Sequence, residues 1–314
     1  MAQITFVQSL EMKRSRQEEI FGKENVIGVG VGHKITQAKD TGQPCVKVYV
    51  TQKLPMQEVP QASRLETAYE GIPTDIEVME PPFAFSLTQR VRPSLGGYSV
   101  GHYKITAGTI ATCVRDKYYG SAGRKFYLLS NNHVLANENN ASIGDPILQP
   151  GPYDGGTDPA DRIARLSKYV PIALSSTANN KVDAAIAEVD FALASREIYW
   201  LGYPSGWRKR SNVKLNTKVQ KTGRTTDYTV GYISDLAWTG LIGYGGGRVA
   251  RFVDQMVISP GGFSAGGDSG SLITDINEVA VGLLFAGSST HTIANYIEDV
   301  QNALFVIISE NEVA

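Results

Sequence analysis

"GGFSAGGDSGSLITD", residues 261–275, carries five glycines in its first ten positions, an Asp-Ser pair at 268–269, and an apolar step at Leu272-Ile273. Glycine opens backbone angles that side chains forbid, so the stretch reads two ways. It is either a loose surface turn or a tight loop that presents the Ser269 hydroxyl. A serine hydroxyl is a poor nucleophile until a base takes its proton, and that base needs a partner to fix its tautomer. The question therefore passes to the histidines and carboxylates.

The chain has four histidines: His33, His102, His133 and His291. His133 lies in "FYLLSNNHVLAN", directly after an apolar strand and among turn-forming asparagines. A strand end of that kind hands a side chain to a cleft, although a structural role suits His133 better when it is taken alone. His33 follows an N-terminal strand, His102 sits in a linker, and His291 opens a terminal helix. Among the acids, Asp183 in "NNKVDAAIAEVD" enters an apolar strand among small residues. A buried carboxylate there needs a hydrogen-bonded partner; the alternative is an ordinary strand-start turn residue. Asp161 and Asp190 read as loop or strand-end positions.

The glycines around Ser269 have a mechanistic use. A tight turn through 266–269 could aim the N–H groups of Gly267 and Ser269 at a developing oxyanion. The strand "SLITD" that follows at once is less readily explained by a generic loop.

"SNNHVLA", "VDAAIAEV" and "GGDSGSLI", in that order, resemble the chymotrypsin/trypsin-like serine peptidases. Asp183 stands 50 positions after His133 and Ser269 stands 86 after Asp183, spacings typical of the family. "VQKTGRTTDYTVGYIS" (219–234) is similar to a segment that bacterial members carry in their second barrel. "GLLFAGSS" (282–289) looks like the strand lining the substrate cleft. The resemblance spans about residues 95–305. It implies a mainly β fold: a double six-stranded antiparallel β-barrel with a C-terminal helix, hydrolysing peptide bonds through an acyl-enzyme. Ser269 would be the nucleophile, His133 the general base and Asp183 its orienting carboxylate. The amides of Gly267 and Ser269 would form the oxyanion hole. Substrate would lie against Phe263, Phe285, Ala286 and Gly287.

Departures from the family accompany these matches. By the resemblance, Phe263 would stand at the base of the specificity pocket, where an Asp would select Lys or Arg. It either shortens the pocket in favour of small or medium apolar side chains or simply packs in the core. Phe285 replaces a small polar residue of the cleft strand. "SLGGYSVGH" (94–102) lacks the apolar-apolar-Gly-Gly start that many relatives free on activation, so Asp268 is expected to find an internal partner. The competing reading is a peptidase-fold scaffold that binds a partner, with catalysis secondary or lost.

The 314 residues suit two domains or one bipartite domain, and 42% hydrophobic content argues for a folded core. Thirty basic against 31 acidic residues, with no block of one sign, disfavour nucleic acid or an anionic membrane as the main partner. No basic-then-apolar signal opens the sequence and no apolar run spans a bilayer, so a cytoplasmic location is expected. Cys45 and Cys113 read as reduced core thiols. Gly28, Gly30 and Gly32 alternate with valines and precede a polar loop, so they mark a strand rather than a dinucleotide turn. No cofactor or metal is expected.

Residues 1–90 read as a small α+β accessory domain. It has a helix over 5–21, strands at 25–35, 44–54 and 74–80, a second helix near 61–70, and a Pro-Pro break at 81–82. It would be a pro-segment, a recruiting domain or a contact for a regulatory partner protein. After a linker at 90–101, residues 91–314 read as short strands between Gly, Asn, Asp and Pro, with barrels at about 95–200 and 201–290. A final helix at about 292–308 carries Ile293, Ile297, Val300 and Leu304 on one face. No internal repeat is evident.

Overall fold

The computed structural model describes residues 4–79, 86–118 and 123–313. The chain divides into two compact units, 1–85 and 86–314.

In the first unit, α1 (Phe6–Phe21) starts at a reciprocal cap. The Thr5 hydroxyl accepts from the Gln8 amide, and the Gln8 side chain accepts from the Thr5 amide. Strands β1 (Val26–Thr36) and β2 (Lys39–Val50) form an antiparallel hairpin. β4 (Ile72–Val78) runs parallel to β2, and β3 (Ala68–Tyr69) pairs with β4, giving the order β1-β2-β4-β3. Met12, Ile20, Val46 and Val48 are buried in its core. The glycines of β1 do lie in a strand, with Gly28 and Gly30 facing the Tyr49 ring.

The helix expected near 61–70 is absent. Only Gln61–Ser63 forms a 3-10 turn, and Glu70-Gly71, both at positive φ, make the tight corner that turns β3 into β4. The Pro-Pro break at 81–82 lies outside the described residues.

The second unit is built on one strand circuit used twice. The first barrel takes Ser99–His102, the run 108–116, Phe126–Ser130, Pro146–Leu148, Arg162–Tyr169 and Ala185–Val189. Counted in chain order, these pair as 1-2-3-6-5-4, and the fourth returns to the first. The run 108–116 closes the ring by pairing with the first strand at its start and the third at its end. The second barrel takes Lys218–Gly223, Asp227–Gly243, Val249–Ser259, Leu272–Asp275, Val279–Gly287 and Thr292–Tyr296. It pairs in the same 1-2-3-6-5-4 order and closes the same way. All these pairings are antiparallel, so each sheet closes on itself and loses its free edges. The repeat is one of topology, which residue identities do not display. This is the double six-stranded barrel that the resemblance implied.

Three expectations change. Residues 90–101 are no linker: Ser94–Gly96 pairs in parallel with Ala194–Ile198, and Ser99–His102 is the first barrel strand. The C-terminal helix is shorter, α3 (Ile297–Leu304), because Thr292–Tyr296 is the strand that closes the second barrel. That barrel therefore runs past residue 290. Ile297, Val300 and Leu304 still form the buried face of α3. Cys45 and Cys113 are both buried and free of disulfides; burial pushes the Cys113 thiol up to about 11. Among the described residues, no helix is long and apolar enough to cross a membrane.

Candidate active site

Strand register places His133 beside Asp183. In the first barrel the third and sixth strands pair antiparallel with Ser130 opposite Ala185. The chain leaves Ser130 into the short helix α2 (Asn132–Leu135), while the other arrives at Ala185 through Asp183. His133 and Asp183 therefore meet just beyond the same end of one strand pair. His133 Nδ1 lies 2.6 Å from Asp183 Oδ2, and the His133 amide donates to Asp183 Oδ1 at 3.2 Å.

Asp183 is fully buried and the His133 side chain is 23% exposed. A buried carboxylate is an acceptor, so Nδ1 carries the proton and Nε2 is left as the basic atom. Burial pushes the His133 pKa down. The charge and hydrogen bond of Asp183, with the charge of Glu138 behind them, outweigh it and hold the imidazole above its ordinary value.

The backbone of Asp183 is also pinned. The Asn131 side chain donates to its carbonyl at 2.7 Å, and its amide donates to Asn295 Oδ1 at 3.0 Å. Asn295 belongs to the closing strand of the second barrel. The acid is thus held by both barrels.

Ser269 sits between the third and fourth strands of the second barrel, in a turn where only some amides are hydrogen-bonded. Asp268 N donates to Ala265 O, Gly270 N to Leu284 O, and Ser271 N to Asp268 O. The amides of Gly267 and Ser269 have no acceptor among the described residues. Gly267 and Gly270 both stand at φ +98°, where a side chain is strained. A Cβ on Gly270 would also lie 2.1 Å from Ser130 Oγ and 2.2 Å from Thr109 O.

Thr109 of the first barrel fastens this turn. Its amide donates to Ser269 O at 2.8 Å, and its hydroxyl donates to Gly267 O at 2.8 Å while accepting from Arg224 N.

Asp268 finds internal partners, as expected. It accepts from the amides of Thr225, Thr226 and Ala265 and from the Thr226 hydroxyl. The Lys221 ammonium lies 3.8 Å from its Oδ2, both side chains fully buried. Burial lowers the Lys221 pKa to about 8 against the pull of Asp268 and Asp227.

His133 and Ser269 line one cleft of about 680 Å3, together with Phe285, Ala286 and Gly287. Ser269 Oγ donates to Phe285 O at 3.5 Å, the limit of a hydrogen bond. Phe263 takes no part in that lining. Its ring is 2% exposed, packs in the second barrel's core with Ile233 and Ile273, and lies 5.7 Å from Lys221 Nζ. An aromatic ring gains more from that core than from a wet pocket wall, so Phe263 shapes the cleft only from beneath.

Sequence reasoning did not single out Tyr244, Thr109, Asn131, Asn295 or Lys221. The Tyr244 hydroxyl donates to Asp183 Oδ2 at 2.9 Å, and its ring also lines the cleft.

No protein-family model and no curated protein matches this sequence. Among solved structures, the chain is similar to Thermobifida fusca protease A (15% identity, TM-score 0.48, 69% of this chain and 98% of that one). It is similar to a Nocardiopsis protease (16%, TM-score 0.47, 68% and 96%). It is also similar to a Cellulomonas bogoriensis chymotrypsin (14%, TM-score 0.46, 69% and 98%).

Proposed function

We propose that the second unit is a serine endopeptidase that works through an acyl-enzyme on Ser269. The observation that carries this reading is the His133–Asp183 hydrogen bond of 2.6 Å in a cleft shared with Ser269. In this structure the Ser269 hydroxyl is turned to Phe285 O, and no hydrogen bond joins it to His133. Such hydrogen bonds commonly tighten only with substrate in place.

In the forward reaction, Ser269 Oγ attacks the scissile carbonyl as its proton passes to His133 Nε2. Asp183 steadies the imidazolium through Nδ1–H. The carbonyl oxygen becomes an oxyanion that accepts from the amides of Gly267 and Ser269, donors typically worth about 10²–10³ in rate each. Collapse transfers the His133 proton to the leaving amine and leaves an acyl-enzyme. Water then attacks the acyl carbonyl as its proton passes to the same imidazole, and the Oγ–acyl bond breaks as that proton returns to Ser269 Oγ, releasing the acid product.

Small, uncharged residues (Ser264, Ala265, Gly266, Ala286 and Gly287) line the cleft around Ser269. With the one carboxylate among the described cleft residues, Glu138, paired to Arg248, that lining favours uncharged side chains at the cleaved position over Lys or Arg. The 85-residue first unit supplies none of the side chains named above, which fits a contact with a regulatory protein partner and selective cleavage of particular proteins.

Incubation of a mixed-sequence peptide library with the wild type and with Ser269→Ala tests the reading by mass spectrometry. New peptide termini in the wild-type reaction alone support it. Identical cleavage by both proteins, or none by either, contradicts it.

A further inference from the structure

The second barrel contributes more to this site than its nucleophile. The hairpin of Asp227–Gly243 and Val249–Ser259 ends in the turn 244–248, where Gly245, Gly246 and Gly247 all take positive φ. Tyr244 N donates to Arg248 O and the Arg248 guanidinium donates back to Tyr244 O, which closes the turn. Arg248 pairs with Glu138, three residues past α2 in the first barrel. The tip is thus fastened beside His133.

From that tip, the Tyr244 hydroxyl reaches Asp183 Oδ2, the same oxygen that His133 Nδ1 engages. Tyr244 is 8% exposed, and its ring stands edge-on to the imidazole at 6.2 Å. Phe252 stacks beneath it at 6.4 Å and Phe285 packs on Phe252 at 4.6 Å. Phe285 of the cleft strand thus backs the ring on which Tyr244 stacks.

We propose that Tyr244 is a positioning residue of the site: its hydroxyl, delivered by the hairpin tip, completes the hydrogen-bond shell of Asp183 and sets how strongly that carboxylate holds His133. Asp183 receives side-chain donors from both barrels, His133 from one and Tyr244 from the other. The charged and titratable groups facing the imidazole are Asp183, Glu138 and Tyr244, with Arg248 partly neutralising Glu138. Burial raises the phenol far above its ordinary value, with the charge and hydrogen bond of Asp183 pushing the same way. Tyr244 is therefore a neutral donor through the working pH range.

A phenol that shares Oδ2 draws electron density from the His133 bond. Without it, the carboxylate turns its full charge on the imidazolium and the His133 midpoint rises. A stronger donor does the opposite. The role rests on His133 being the general base, but its readout needs no substrate.

NMR titration of the His133 imidazole in the full-length chain tests it, on the wild type, on Tyr244→Phe, and on a chain with 3-fluorotyrosine at 244. The account expects the midpoint to rise by about half a unit in Tyr244→Phe and to fall with fluorotyrosine, which keeps the shape and strengthens the donor. It expects kcat to drop about tenfold in Tyr244→Phe with KM within about twofold, as a lost positioning bond does. Midpoints unchanged in both variants, or moving the same way in both, overturn the role. A protein without peptidase activity would still report the midpoints, so failure of the proposed function is read separately.

Discussion

The Thr109 amide donates to the Ser269 carbonyl at 2.8 Å: a first-barrel strand grips the backbone of the proposed nucleophile in the second barrel. Because the Thr109 hydroxyl also holds Gly267 O and Arg224 N, one side chain sets the turn carrying the two amides proposed for the oxyanion hole. Thr109→Val keeps the shape and removes both bonds, leaving a half-buried carbonyl and amide unpaired at up to about 1 kcal/mol each. The expected result is a fall in kcat of about tenfold or more with a small change in KM, and a Tm lower by several degrees in differential scanning calorimetry. A wild-type kcat would remove Thr109 from the account.

Gly270→Ala should be more damaging. The new methyl would enter a backbone at φ +98° and overlap Ser130 Oγ and Thr109 O, both fixed by the first barrel. A cost above about 2 kcal/mol is expected, read from urea unfolding. Gly266→Ala, where a Cβ meets nothing within 4 Å and φ is not positive, should fold like the wild type and serves as the control.

The raised pKa of His133 sets the acid side of the activity. A base must be neutral to accept a proton, so the rate should fall as pH drops through a midpoint above the ordinary imidazole value of 6.5. The linkage sign follows: a raised folded-state pKa gives stability that is full below the unfolded value and lost as pH rises through the folded one. A kcat/KM profile with its acid midpoint below 6 would contradict the geometry around Asp183.

Lys221 sets the alkaline side. With its pKa lowered to about 8, it loses the charge that faces Asp268 above that pH, and the nucleophile turn loses its cation. Activity should fall above about pH 8, and Lys221→Arg should carry that limb upward, since guanidinium stays charged. The stability sign is opposite to the functional one. A lowered lysine pKa means that the unfolded chain binds more protons between about 8 and 10.5, so this group's contribution to stability rises across that window. Lys221→Met, which leaves Asp268 its four hydrogen bonds but no cation and takes a donor from Asp227 O, should cost about 1–3 kcal/mol.

What the sequence disclosed follows from how local each signal is. Ser269, His133 and Asp183 each sit in a short run whose neighbours announce it: glycines, a strand end with asparagines, a carboxylate among alanines. Tyr244 and Asn295 reach Asp183 from 61 and 112 residues away, across two barrels, and nothing around them marks the contact. "GLIGYGGGRV" reads as a glycine-rich hairpin turn and no more. Asn295 was further hidden inside a segment that reads as helix. Ile293 and Ile297 are four apart, a spacing that both helical and strand periods allow, and the need to close the barrel decided for the strand. The repeated strand circuit was invisible for a related reason: pairing order constrains which segments meet, and leaves their residues free to differ.

The central claim is that Ser269 is a nucleophile activated by His133. Its most direct test is reaction with a fluorophosphonate probe, followed by peptide mapping of the adduct. The account predicts one adduct on Ser269 of the wild type, none in Ser269→Ala, and labelling slowed by at least about a thousandfold in His133→Ala. Wild-type protein that stays unlabelled from pH 6 to 9, or labels equally fast without His133, would contradict it.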